Sequence, residues 1–185
     1  MSKVKEDVET RSELKVTGLL VENGVEILEE QDASILSSKG YGTPENNKLL
    51  LTYYEALYLL YKKNMEIEDE KGENIGFKEL LKHYKCTDEN AWAKYLVYRD
   101  LRSRGYVVRG GFGAGIDFRV YERGEYSEKT AKYLVRSVLE GKPTSLDDLT
   151  RTLRQCQSLK KQLVLAVMNR RAEIVYYSVS QLTLE

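Results

Sequence analysis

Histidine occurs once in this chain, cysteine twice and proline twice. No apolar run approaches the roughly 18 residues needed to span a bilayer. With His83 alone, and Cys86 and Cys156 far apart and outside any C-x-x-C spacing, neither a zinc site nor a disulfide framework is expected. The opening residues Met1-Ser2-Lys3-Val4-Lys5-Glu6-Asp7 carry charges with no apolar stretch behind them, which is not the pattern of a secretory signal. A cytoplasmic protein is expected, with no membrane attachment, metal or cofactor. An excess of one charge is missing too: 29 Lys and Arg stand against 29 Asp and Glu. A neutral chain does not coat nucleic acid by bulk attraction.

What is present is the composition of a globular protein, 42% hydrophobic and 31% charged over 185 residues. That length allows one ordinary domain or two small ones. The charge is unevenly spread. No acidic residue falls between Leu149 and Ala172, a stretch that holds Arg151, Arg154, Lys160, Lys161, Arg170 and Arg171. A second cluster, Arg99, Arg102, Arg104 and Arg109, is broken only by Asp100. Such stripes fit either a solvated face or a polyanion bound at one defined place.

The hydrophobic pattern reads as two α+β units, 1–85 and 86–185. Leu14 to Val21 and Val25 to Glu30 read as strands joined through Glu22-Asn23-Gly24, a hairpin turn in which Asn-Gly supplies positive φ. A turn-rich stretch with Gly40, Gly42 and Pro44 follows. From Lys48 to Lys63, apolar residues repeat at three and four, which predicts a helix. A strand over Met65 to Asp69 and a helix over Phe77 to Tyr84 complete the first unit. In the second, Thr87 or Asp88 can cap a helix over Glu89 to Arg104, stopped by Gly105. Strands are expected at Tyr106 to Arg109, Ile116 to Tyr121, Ala131 to Val138, Gln162 to Met168 and Glu173 to Ser180. Ser145 with Asp148 opens a helix that runs to Cys156.

The loop Gly110-Gly111-Phe112-Gly113-Ala114-Gly115 lies between two strands rather than before a helix, and it lacks the Lys-Ser/Thr ending of a P-loop. A turn is the expected use, not a phosphate cradle. His83, on the short helix of the first unit, is expected to be a surface or partly packed histidine. Most of the 14 tyrosines fall at helix or strand spacing, where packing accounts for them.

A longer pattern goes further. Residues 94–108, Lys-Tyr-Leu-Val-Tyr-Arg-Asp-Leu-Arg-Ser-Arg-Gly-Tyr-Val-Val, are followed by Asp117-Phe118-Arg119-Val120-Tyr121-Glu122-Arg123-Gly124. Then come Tyr133-Leu134-Val135 and Ser158-Leu159-Lys160-Lys161-Gln162-Leu163. In order and spacing this resembles the archaeal tRNA-intron endonuclease family, with a looser match in the first half, best at Glu55-Ala56-Leu57-Tyr58-Leu59. The resemblance implies an enzyme that excises introns from precursor tRNA at a bulge-helix-bulge. It would work without metal, leaving a 2′,3′-cyclic phosphate and a 5′-hydroxyl. Transesterification of this kind needs a base at the 2′-hydroxyl, an acid at the leaving oxygen and a cation at the phosphorane.

The family gives these roles to a tyrosine, a histidine and a lysine. By resemblance the tyrosine is Tyr121 and the lysine Lys161. The histidine position holds Thr130, whose hydroxyl is far too weak an acid for the role; Lys129 is the nearest alternative donor. A tyrosine phenol ordinarily ionises near pH 10, so as a base it needs cations close by. Arg154 matches the arginine that grips a flipped bulge base. Asp147 and Asp148 lie near the family's acidic docking loop, though both equally suit the helix N-terminus that follows. The missing histidine implies a structural, partner-dependent subunit of a heterotetramer. The alternatives are an active enzyme with an altered acid and a non-enzymatic RNA-binding module.

Overall fold

Side chains at two-residue spacing share one face of a strand, and such alternation builds two five-stranded sheets here. The computed structural model describes residues 15–45, 48–113 and 115–182. The first sheet contains β1 (Val16–Val21), β2 (Gly24–Ile27), β3 (Thr43–Glu45), β4 (Lys48–Leu51) and β5 (Met65–Glu68), in the order β3-β4-β2-β1-β5. Helices α1 (Glu30–Ser38), α2 (Tyr53–Tyr61) and α3 (Phe77–Thr87) accompany it. After α4 (Ala91–Ser103) come β6 (Val107–Gly110), β7 (Phe118–Tyr121), β8 (Tyr133–Leu139), α5 (Leu146–Ser158), β9 (Gln162–Met168) and β10 (Ile174–Val179). These strands form the second sheet in the order β10-β9-β8-β7-β6. Each sheet has one parallel pair, β1–β5 and β8–β9, so both are mixed and the α+β class holds. No helix among the described residues is long and apolar enough to cross a membrane.

Several expected boundaries are corrected. The helix expected from Lys48 begins only at Tyr53. Leu49 and Leu51 instead pair with Ile27 and Val25 in the sheet, where both are buried. The second strand ends at Ile27, and the stretch expected to be turn opens with α1 at Glu30. Glu22 and Asn23 do turn the first hairpin, but Asn23 does not adopt positive φ. Strands expected from Ile116 and Ala131 begin two residues later; both residues are buried, but in loops. Neither Thr87 nor Asp88 caps the fourth helix: Asn90 precedes it, and the Asp88 carboxylate accepts from the Asn90 amide and pairs with Lys94. The expected strand start at Leu14, and the charged residues before it, lie outside the described residues.

One core runs through both sheets. Helix α2 of the first half packs on α4 of the second. The Tyr54 ring lies 4.9 Å from Tyr98 and meets Phe118 edge-on at 5.2 Å. On the second sheet, Phe118, Val120, Val135 and Ala166 join this large core. The opposite face carries a smaller cluster, Ile116, Leu134, Cys156 and Leu163, with Leu149 and Leu153 of α5 against it.

Candidate active site

Strand alternation decides which side chains meet. On β7, Phe118 and Val120 are buried in the main core, so Arg119 and Tyr121 point to the α5 side. Leu134 of β8 and Leu163 of β9 share that side, and Lys161 stands two residues before Leu163. The strand ends are level: Val120 is opposite Tyr133, and Tyr133 is opposite Gln162. The end of β7 and the starts of β8 and β9 therefore form one rim. Tyr121, Thr130 and Lys161 come together there, lining a cleft of about 460 Å³ with Phe112, Tyr126 and Leu134.

Lys161 is aimed by the end of α5. The Lys160 amide donates to the Gln157 carbonyl and the Lys161 amide to the Cys156 carbonyl, both at 2.9 Å. This is the paired C-terminal hydrogen bonding of a Schellman motif. Lys160, at φ 54, occupies the left-handed position that glycine usually takes. The chain turns sharply enough for Lys161 Nζ to donate to Thr130 Oγ1 at 2.5 Å. Across the cleft, Tyr121 packs edge-on against Tyr126, with ring centroids 5.0 Å apart. The cleft thus offers the Tyr121 and Tyr126 phenols, the Lys161 ammonium and the Thr130 hydroxyl, the last already held by that ammonium.

Lys129 also lines the cleft, but its ammonium pairs with Glu125 at 2.5 Å. That hydrogen bond raises the lysine's pKa above the ordinary value, making it a still weaker acid. His83 is exposed on α3, in the other half of the chain. Arg154 is exposed on α5 and makes no side-chain hydrogen bond or ion pair among the described residues. Asp147 and Asp148 are exposed in the first turn of α5, where Asp148 pairs with Arg151 at 3.5 Å.

The glycine-rich loop joins β6 to β7 as a hairpin connection. Its Gly111 amide is turned inward onto the Asp117 carbonyl at 2.7 Å. The second arginine cluster is engaged with partners within the chain, Arg109 in the interior and Arg104 at the surface. Arg99 lies over Tyr61 and Tyr95, Arg102 over Tyr41, Arg104 pairs with Asp100, and Arg109 faces Glu55. A polyanion face is therefore better sought on the 151–171 stripe. Phe112, Tyr126 and Arg119 are cleft residues that sequence reasoning missed. For Arg119 the signal was there: it stands two residues from Tyr121 on one strand.

The family model described as tRNA intron endonuclease, N-terminal domain, matches residues 16–81. The tRNA intron endonuclease, catalytic C-terminal domain, matches residues 91–176. A tRNA-splicing endonuclease of Methanococcus vannielii is 38% identical over 165 residues, covering 89% of this chain and 93% of that protein. One from Pyrococcus abyssi is 35% identical over 146 residues, 78% of this chain and 83% of its own length. The Methanococcoides burtonii protein of the same name is 37% identical over 142 residues, which are 76% of this chain but 39% of that longer one. With both domain models matched in order and relatives of this identity covering most of its length, the chain belongs to the tRNA intron endonuclease family.

Proposed function

We propose that this chain is a subunit of an endonuclease that excises introns from precursor tRNA at bulge-helix-bulge sites, and that it depends on a partner chain for full activity. One observation carries the reading. Tyr121 and Lys161 face one cleft, but the third member of the site is Thr130, bound through its hydroxyl to Lys161. The proposed reaction is attack of the ribose 2′-hydroxyl on the adjacent phosphate, giving 2′,3′-cyclic phosphate and 5′-hydroxyl ends without metal. In that reaction the base is a tyrosine in its phenolate form, which takes the 2′-hydroxyl proton, and a lysine stabilises the phosphorane; Tyr121 and Lys161 hold these two places in this chain. For protonation of the leaving 5′-oxygen, Thr130 is too weak an acid and Lys129 is held by Glu125. A homologous, histidine-bearing chain supplies the intact site in a heterotetramer, while this chain shapes the assembly in the cytoplasm and grips RNA through Arg154. In that assembly, residues 1–85 and 86–185 serve as its N-terminal and catalytic-type domains.

The test is incubation of the purified chain with a bulge-helix-bulge RNA, alone and with a histidine-bearing relative. No cleavage alone and cleavage on mixing is the expected result. Specific cleavage by the chain alone would favour a second reading, an active enzyme with an altered acid. The persistence of Tyr121 and Lys161 in one cleft is the observation that keeps that reading open.

A further inference from the structure

Phe112 sits in the loop between β6 and β7, is 38% exposed, and lines the same cleft as Tyr121 and Lys161. Of the three aromatic rings in that cleft, Tyr121 and Tyr126 pack against each other. Phe112 packs against no other ring among the described residues. The root of its loop is closed tightly. Arg119 Nε donates to the Gly110 carbonyl at 2.8 Å, and the Gly111 amide donates to the Asp117 carbonyl. A Cβ on Gly111 would lie 1.9 Å from the Ile116 carbonyl oxygen, so no other residue fits this approach. The ring next to Gly111 is therefore carried on a fixed base.

A single exposed apolar side chain ordinarily needs no explanation. Phe112 is set apart by its company, because the Arg119 guanidinium and the Lys161 ammonium line the cleft with it. An unpartnered ring beside cations suits a single-stranded nucleotide: the ring stacks on the base while the cations take the phosphate. At about 460 Å³ the cleft falls within the usual span of small-ligand sites, roughly 300 to 1,000 Å³.

We propose that Phe112 is the stacking platform for an unpaired base held next to the phosphate that Lys161 faces. It thereby helps the protein tell bulged RNA from paired RNA. This rests on the reading that the cleft takes RNA. The test compares the purified full chain with its Phe112→Ala and Phe112→Trp variants on three RNAs. One has unpaired bulges flanking a short helix, one has the same bulges with abasic sugars, and one is an uninterrupted duplex. Phe112→Ala is expected to weaken binding of the bulged RNA by roughly five- to a hundredfold, the usual scale of a lost base stack. Its binding of the abasic RNA should equal the parent's, and Phe112→Trp should keep the preference for bulges. If the parent prefers bulged RNA and Phe112→Ala binds it equally well, or loses the abasic RNA to the same degree, the stacking role is overturned while the cleft reading stands. A parent that binds the duplex as tightly as the bulged RNA overturns both.

Discussion

Thr130 and Lys161 share a hydrogen bond, so a side chain at position 130 lies within reach of the lysine and in the same cleft as Tyr121. Thr130→His would put there a group whose ordinary pKa is about 6.5, suited to proton donation near neutrality. Cleavage of a bulge-helix-bulge RNA by this variant is expected to rise about a hundredfold over the parent. Binding must be measured alongside. Unchanged binding with no gain in cleavage would show that the site's geometry does not accept the imidazole. Arg154 poses a separate question, since it is exposed on α5 and its guanidinium has no hydrogen bond or ion pair among the described residues. Arg154→Ala should weaken RNA binding by about 1–3 kcal/mol if it stacks on an unpaired base. Arg154→Lys should then be nearly as damaging, because lysine keeps the charge and loses the plane. Equal binding by the lysine variant and the parent would reduce Arg154 to a phosphate contact.

Helix α2 shows how one element is set by a buried charge. Glu55, in its first turn, accepts from the Thr52 amide and hydroxyl at 2.9 and 2.8 Å and from the Gly42 amide at 3.2 Å. Burial pushes its carboxyl above the ordinary 4.5, against the pull of these donors and of Arg109. A group raised in the folded state gives its full stabilisation below its unfolded pKa and loses it as pH rises through the folded one. Stability of the parent relative to Glu55→Gln should therefore fall as pH rises from about 4.5, in urea denaturation series. A difference that is flat or grows with pH would contradict this. The same helix marks the limit of what the sequence made legible. Its true start was written in Thr52-x-x-Glu55, but Leu49, Leu50 and Leu51 extend the apolar spacing backwards, and only pairing with β2 turns them into strand. Helix α1 left little signal, since Leu36 is its one buried residue. In the second half, Gln162–Met168 was legible to the residue because an unbroken apolar run, Leu163 to Met168, is bounded by Lys160-Lys161 on one side and Asn169-Arg170 on the other. Tyr121, Thr130 and Lys161 were reached through the family motif rather than spacing. Phe112 and Tyr126 were not reached at all, because loop residues carry no period that points them at a cleft.

The whole molecule is joined across its two sheets by both charge and aromatic packing. Arg109 of β6 faces Glu55 of α2 at 3.6 Å with both side chains largely buried, and it also donates to the Gly40 carbonyl at 3.1 Å. Removing one partner of such a pair leaves the other charge buried, so Arg109→Met should destabilise the protein by about 3 kcal/mol near neutrality. The cost should shrink at acid pH, where Glu55 is protonated. Chemical denaturation should still show one transition, and two well-separated ones would mean that the halves fold independently. The aromatic cluster carries a consequence for a divided gene. A gene split at the Asp88–Asn90 junction would leave Tyr54 on one product and Tyr98 and Phe118 on the other. Each product would show its rings to water until it met its complement. A chain divided there should therefore be recovered folded only when both products are made together, and either product made alone should aggregate.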